Sequence, residues 1–222
     1  GASPDRVALV KNSDLLDMIA LGRASVPLDL MTYRPEDKQP SIFLLKENRR
    51  QQIITIFNWT EQSVSHTLSL STLGLNAKGS YTATDVLRGG GLPIERGELV
   101  ITLPPHSVRI MKMIDSSVPQ ADPAFGAHAP ASGQAGNMIQ FHAAEDDAEA
   151  PVLQYHWEFG DGVIADGADV SHAYTRAGQY AVKVTATGLN RRMLQHTLGI
   201  SITGAIPTAY NPAAKERYVA PN

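Results

Sequence analysis

"HWEFGDG" (156–162), with "HAYTRAGQYAVKV" (172–184) shortly after it, is the stretch on which the fold turns. Side chains alternate along an extended chain, so Tyr155, Trp157 and Phe159 share one face and Gln154, His156 and Glu158 the other. The Gly-Asp-Gly turn then reverses direction. Its glycines can take positive φ, and its aspartate can accept from nearby backbone N–H groups. The second run repeats the pattern, with Tyr180, Val182, Val184 and Ala186 opposite Gln179, Ala181, Lys183 and Thr185. Either the aromatics line a site that does chemistry, or the two stripes frame a small β-sandwich. In a domain this small little else is large enough to make a core, so the stripes are expected to pack together. "LQHTLGISI" (194–202) supplies a further strand.

The chain has 222 residues, room for one large domain or two of ordinary size. Its composition, 43% hydrophobic and 18% charged, is that of a globular protein. A net charge of −3 makes no electrostatic case for nucleic acid or an acidic membrane, and no apolar run approaches the roughly 20 residues of a membrane span. Neither nucleic acid nor membrane insertion is therefore expected. The absence of cysteine excludes disulfides, thiol catalysis and cysteine-based zinc sites. The opening "GASPDRVALV" has neither an initiator Met nor a signal peptide, and it reads as a piece excised from a longer protein.

Composition changes near residue 115. Residues 1–115 carry 13 Lys and Arg against 12 Asp and Glu, and residues 116–222 carry 6 against 10. Between them "DSSVPQADPAFGAHAPASGQAG" (115–136) is rich in Pro, Ala, Gly and Ser and reads as a linker running into an extended first strand. Two domains are expected, 1–115 and 116–204, followed by a tail or linker over 205–222 without apolar periodicity.

The first domain opens on a predicted helix, "NSDLLDMIALG" (12–22). Asn12 or Ser13 caps it, Leu15, Leu16 and Ile19 form its apolar stripe, and Gly22 ends it. Strand signals follow at 41–46, 51–59, 64–71, 79–87, 98–103 and 106–113, separated by turn residues such as Gly74 and Pro104-Pro105. Several alternate, which predicts an antiparallel sandwich. The run Ile53 to Trp59 is apolar on both faces until Asn58, so that strand is expected to be central or covered on its second face. The fold class is all-β: two antiparallel β-sandwich domains in tandem, the second immunoglobulin-like, with a short N-terminal helix.

"WEFGDG…SHAYTRAGQYAVKVTA" resembles the polycystic kidney disease (PKD) repeat through Trp157, Phe159, Gly160, Asp161, Gly162, His172, Tyr174, Gly178, Tyr180 and Val182. The resemblance covers roughly 118–204 and implies an immunoglobulin-like spacer or adhesion module of surface and secreted proteins, without catalytic residues. "IITIFNWTEQSVSHTLSLSTLGL", "YTATDVLRGG" and "LVITLPPHSVRIMKM" are similar to the C-terminal sandwich of melibiase-type, α-galactosidase-like glycoside hydrolases. Asn58, Gly74, Tyr81, Asp85, Pro104, Pro105 and His106 match that pattern. In that family the sandwich follows a (β/α)8 catalytic barrel whose two catalytic aspartates have no counterpart in this chain.

Each candidate site has a structural alternative. Asp161, with Asp166 or Asp169, could ligate calcium, but the dense acidic spacing of a calcium loop is missing and a turn role is favoured. "EDDAE" (145–149) reads as a solvated hairpin tip. His66, His106, His142, His156 and His172 share no ligand motif. Asp85 is the carboxylate best embedded in a strand but lacks an acid partner for glycoside hydrolysis, and no G-x-S-x-G elbow exists. "NWT" (58–60) fits a glycosylation sequon at a strand end. A sugar-stacking platform would need exposed aromatics. Trp157 falls on a core face and Trp59 closes an apolar strand, while Tyr33, Tyr210 and Tyr218 lie outside strands.

No catalytic, cofactor-binding or metal residues are therefore assigned, and no cofactor is expected. The sequence points to a non-catalytic accessory fragment of an exported carbohydrate-active enzyme, extracellular or periplasmic. Its expected partner is the catalytic barrel of the same polypeptide, with a polysaccharide or cell-surface protein as a further one. The alternative is a carbohydrate-binding or adhesion protein with a ligand site on one sandwich.

Overall fold

Helix α1 (Ser13–Leu21) begins at Asn12, whose side-chain oxygen accepts from the Leu15 N–H at 3.1 Å. It ends at Gly22, which takes φ +63° and donates its N–H to the Ile19 carbonyl. Both ends agree with the sequence, but the orientation does not. Asp17 points inward at 5% exposure, while Ile19 is 76% and Leu16 43% exposed. The rotation follows the ion pairs: Asp14 accepts from Lys112 Nζ at 2.8 Å, and Asp17 pairs with Arg191 at 3.3 Å. The structure, a computed structural model, describes residues 9–33, 35 and 38–204.

Eight strands follow: β1 (Val26–Pro27), β2 (Ile42–Lys46), β3 (Gln51–Asn58), β4 (Val64–Ser69), β5 (Tyr81–Asp85), β6 (Gly91–Leu92), β7 (Glu98–Leu103) and β8 (Ser107–Asp115). Six form an antiparallel sheet in the order β1-β2-β3-β8-β5-β6, and β4 pairs with β7 as a separate ribbon. The register places Ile54 beside Leu44 and Met111, and Ile56 beside Ile42. These inner-face residues pack with Leu68, Leu99, Ile101 and Leu103 of the ribbon into one buried cluster. Each such aliphatic side chain contributes about 1.5–3 kcal/mol. Leu73 and Leu75 plug the cluster from a turn whose Gly74 needs φ +70°.

As the two-faced apolar pattern predicts, β3 lies between β2 and β8. Its outer face carries Ile53, Thr55 and Phe57. Ile53 and its neighbour Leu45 are buried, whereas Phe43, Thr55 and Phe57 stay partly exposed. The ion pair from α1 reaches Lys112 at the buried end, directly opposite Ile53.

The remaining strands are β9 (Phe125–His128), β10 (Ser132–Gln134), β11 (Ile139–Glu145), β12 (Val152–Glu158), β13 (Ile164–Asp166), β14 (Asp169–His172), β15 (Gly178–Gly188) and β16 (Met193–Thr203). They form one sheet ordered β10-β16-β15-β12-β13 and another ordered β14-β11-β9. The expected tandem β-sandwich architecture is present, with one addition: β10 runs parallel to β16, Ser132 opposite Ser201. The Tyr155–Trp157–Phe159 stripe is core. Trp157 is fully buried, its ring 5.7 Å from that of Phe141, and its indole N–H donates to the Gly167 carbonyl at 3.0 Å. Phe159 lies 5.0 Å from Phe141, and Val182 and Val184 are fully buried on β15. Gly160 has φ +85° and leaves 2.9 Å between a hypothetical Cβ and the Ala181 carbonyl oxygen, so no other residue fits there.

The described chain divides into two compact units. One runs to Phe125 and also takes in Glu145–Gln154 and Ala186–Leu194; the other takes in Gly126–Ala144, Tyr155–Thr185 and the residues from Gln195. The predicted tail over 205–222 lies outside the described residues.

Trp157→Ala should lower stability by about 3–5 kcal/mol, as for other buried aromatic truncations. Glu158→Gln, on the exposed face of β12, should change it by less than about 0.5 kcal/mol. Thermal unfolding of both variants checks the pair, and equal melting would contradict the core assignment.

Candidate functional site

The Gly-Asp-Gly turn is held by its own neighbours. One Asp161 oxygen accepts from the Val163 N–H at 3.1 Å and the other lies 2.8 Å from His172 Nε2. The His172 ring stacks on Phe159 at 4.4 Å and meets Tyr174 edge-on at 4.5 Å. Tyr174 donates its hydroxyl to the Phe159 carbonyl at 3.0 Å. Burial, the nearby Asp161 charge and Tyr180 push that phenol well above its ordinary range, so it stays a donor. The other acids considered for calcium are dispersed: Asp166 pairs with His156 at 2.8 Å and Asp169 with His142 at 2.6 Å. Among the described residues no group of three or more His, Asp or Glu gathers as a metal site.

The acidic run at 145–149 is only partly a solvated tip. Asp146 and Asp147 are exposed, but Glu145 pairs with Arg23 at 3.5 Å, and Glu149 pairs with Lys46 at 3.7 Å and Arg49 at 3.6 Å. Arg23 also donates to the carbonyls of Glu47 and Ala148. These pairs lie within the first compact unit. His106 pairs with Glu61 at 3.0 Å on the surface, and His66 sits on β4 opposite Ile101. Tyr33 is 37% exposed, while Tyr210 and Tyr218 lie outside the described residues.

Asn58 is buried, and its side-chain amide donates to the carbonyls of Gln62, Leu103 and Pro104. Its oxygen accepts from the Thr60 N–H and hydroxyl. The sequon is therefore a structural clamp with no accessible nitrogen.

Asp85 is also structural. It is 2% exposed and accepts from the Leu87 and Arg88 N–H groups and from Arg109 Nε at 2.9 Å. Burial pushes its pKa up, but those backbone bonds and the Arg109 guanidinium outweigh it, leaving the carboxyl below its ordinary range. Sequence reasoning missed three other buried acids, Asp17, Glu47 and Asp115. Burial pushes Asp17 up despite Arg191 and Lys112, and pushes Glu47 up despite a 2.6 Å hydrogen bond from Gln51. Glu47 lies between two strand runs, where a charged residue signals a turn; only its closeness to the apolar run before it hints at burial.

The second missed feature is an open groove of about 480 Å³ on the outer face of the six-stranded sheet. Phe57 and Trp59 stack at 4.5 Å with planes 10° apart, and Phe43 meets Phe57 edge-on at 5.8 Å. Pro40, Thr55, Ser25 and Gln39 complete the lining. The Trp59 indole N–H donates to the Pro40 carbonyl at 3.1 Å, which fixes the ring. The signal was present in the two-residue spacing of Phe57 and Trp59, which puts both on one strand face.

Asp85→Ala should lower stability by about 3–5 kcal/mol at neutral pH by stranding a charge partner. Because the folded pKa is depressed, the Asp85 contribution is complete above the ordinary carboxylate range and is lost as pH falls through the folded value. Thermal unfolding of both chains from neutral to strongly acid pH should show the difference shrinking with acid.

Comparison with known proteins agrees with both sandwiches. Residues 41–113 match the family described as alpha galactosidase C-terminal beta sandwich domain, and residues 120–196 match the PKD domain. Collagenase ColA of Clostridium perfringens is 38% identical over 53 residues, 23% of this chain and 5% of the collagenase, so this chain spans a small fraction of that relative. Among solved structures, the PKD1 domain of Vibrio cholerae metalloprotease PrtV aligns over 38% of this chain and 100% of its own, with 23% identity and a TM-score of 0.34. A GH27 β-L-arabinopyranosidase from Geobacillus stearothermophilus aligns over 54% of this chain and 26% of its own, with 19% identity and a TM-score of 0.44. Residues 41–113 thus form an alpha-galactosidase-type C-terminal β-sandwich, and residues 120–196 a PKD domain.

Proposed function

We propose that this chain is an accessory module of an exported glycoside hydrolase of the α-galactosidase type, with its first sandwich bracing a catalytic barrel and its PKD domain acting as a spacer. The observation that carries the reading is the inverted helix α1. Asp14 and Asp17 face the sandwich while Leu16 and Ile19 face outward, with Leu9 and Val10 exposed just before them. A run of exposed large apolar residues on one segment marks a contact surface. The family match to residues 41–113 supports a glycosidase barrel as what covers it.

The carboxylates support a non-catalytic role for the chain by itself. A glycosidase needs two reachable carboxyl groups, one held protonated as the acid. Asp85 is held ionised against Arg109, and Asp17 and Glu47 are nearly wholly buried. Export fits the PKD match; no described helix is long and apolar enough to cross a membrane.

In the polypeptide carrying this chain behind a barrel, Leu16→Asp with Ile19→Asp should lower the barrel's melting temperature by several degrees. The same double variant of the isolated chain should melt within about 0.5 kcal/mol of the parent, because both side chains are already exposed. Unchanged barrel stability would overturn the bracing role. The isolated chain should also show no turnover of aryl α- or β-glycosides; activity abolished by a single Asp or Glu substitution would overturn the non-catalytic assignment.

A further inference from the structure

We propose that the aromatic groove at the Phe43–Phe57 end of the outer sheet face binds a neutral carbohydrate, with the Trp59 ring as the stacking platform for a pyranose. No residue of α1 lines the site, so the proposal can fail while the α1 contact with a barrel stands.

The geometry of the rings points to stacking. Phe57 covers one face of Trp59 in near-parallel contact at 4.5 Å, so only the opposite indole face can meet a ligand. The hydrogen bond from Trp59 Nε1 to the Pro40 carbonyl holds the ring in place before binding. A platform already fixed loses little rotamer freedom when a ligand arrives. The ring face is electron-rich, and the C–H groups on one side of a pyranose are apolar and weakly positive, so the two complement each other.

The rim narrows the ligand class. Ser25 and Thr55 offer hydroxyls and Gln39 an amide, which can donate to and accept from sugar hydroxyls. None of the described residues of the lining is charged, in a chain with 18% charged residues. An uncharged groove does not repay an anionic glycan, a nucleic acid or an acidic peptide for its lost hydration. A volume of about 480 Å³ lies within the range of small-molecule sites. The other tryptophan, Trp157, is fully buried, so Trp59 is the indole that a ligand or a quencher can reach.

The test uses the whole 222-residue chain in affinity electrophoresis through gels containing galactomannan, xyloglucan or anionic polygalacturonate. Retardation is expected in at least one neutral gel and not in polygalacturonate, with at least a tenfold loss of affinity for Trp59→Ala and partial retention for Trp59→Phe. A second readout needs no variant: acrylamide quenching of tryptophan emission should weaken when the retarding glycan is added. No retardation in any neutral gel, retardation by polygalacturonate alone, or a Trp59→Ala chain that migrates like the parent would overturn the proposal. So would unchanged quenching, or a Trp59 already shielded by protein when the chain is joined to a barrel.

Discussion

Strand β3 is apolar on both faces, and a sheet built around such a strand has to be covered twice. The inner cover is the β4–β7 ribbon together with Leu73 and Leu75, which close over Ile54, Ile56 and Met111. The outer cover is partial. Leu45 and Ile53 are shielded at the end where α1 is tied down through Lys112, and Phe43, Thr55 and Phe57 are left partly open at the other. Both proposed contact surfaces follow from this arrangement. The helix turns its acids inward to meet cations and so presents its aliphatic side outward. The uncovered end of the sheet becomes the aromatic groove.

The second sandwich follows a different logic. Its core is dominated by rings, with Trp157, Phe159, Phe141 and Tyr174 buried and each polar edge bonded to backbone: indole to Gly167, phenol to Phe159. Asp166 and Asp169 are matched to histidines on neighbouring strands, and Asp161 in its turn to His172. A domain arranged in this way has a well-specified core.

Most of the fold was legible because strands advertise themselves locally. Alternation placed β4, β7, β12 and β15, an apolar run of strand length placed β3, and Asn12 and Gly22 marked both ends of α1. The rotation of α1 was not legible. Its apolar residues pointed to a buried stripe, but its orientation is set by Lys112 and Arg191, which lie far along the chain. Glu47 was missed for a related reason: its main side-chain partner, Gln51, meets it only after the hairpin closes. Phe57 and Trp59 were visible as neighbours on one face, but whether that face would be covered depends on how far α1 and the segment after it extend. The turn bond of Asp161 was legible because its partner, the Val163 N–H, lies two residues away.

Asn58 has a consequence for how the protein can be made. Its side-chain nitrogen is committed to three carbonyls that bring the β3 end, the Gln62 turn and the Leu103–Pro104 corner together. In a secretory host that glycosylates Asn-x-Thr on the emerging chain, the sugar would be attached before those carbonyls are in place. The modified amide could then no longer bring the corner together, and the first sandwich would be retained as a folding failure. Bacterial expression avoids the conflict. In a yeast or insect-cell host, removal of the Thr60 hydroxyl would be the less disruptive way to erase the acceptor, since the Asn58 amide itself has no substitute.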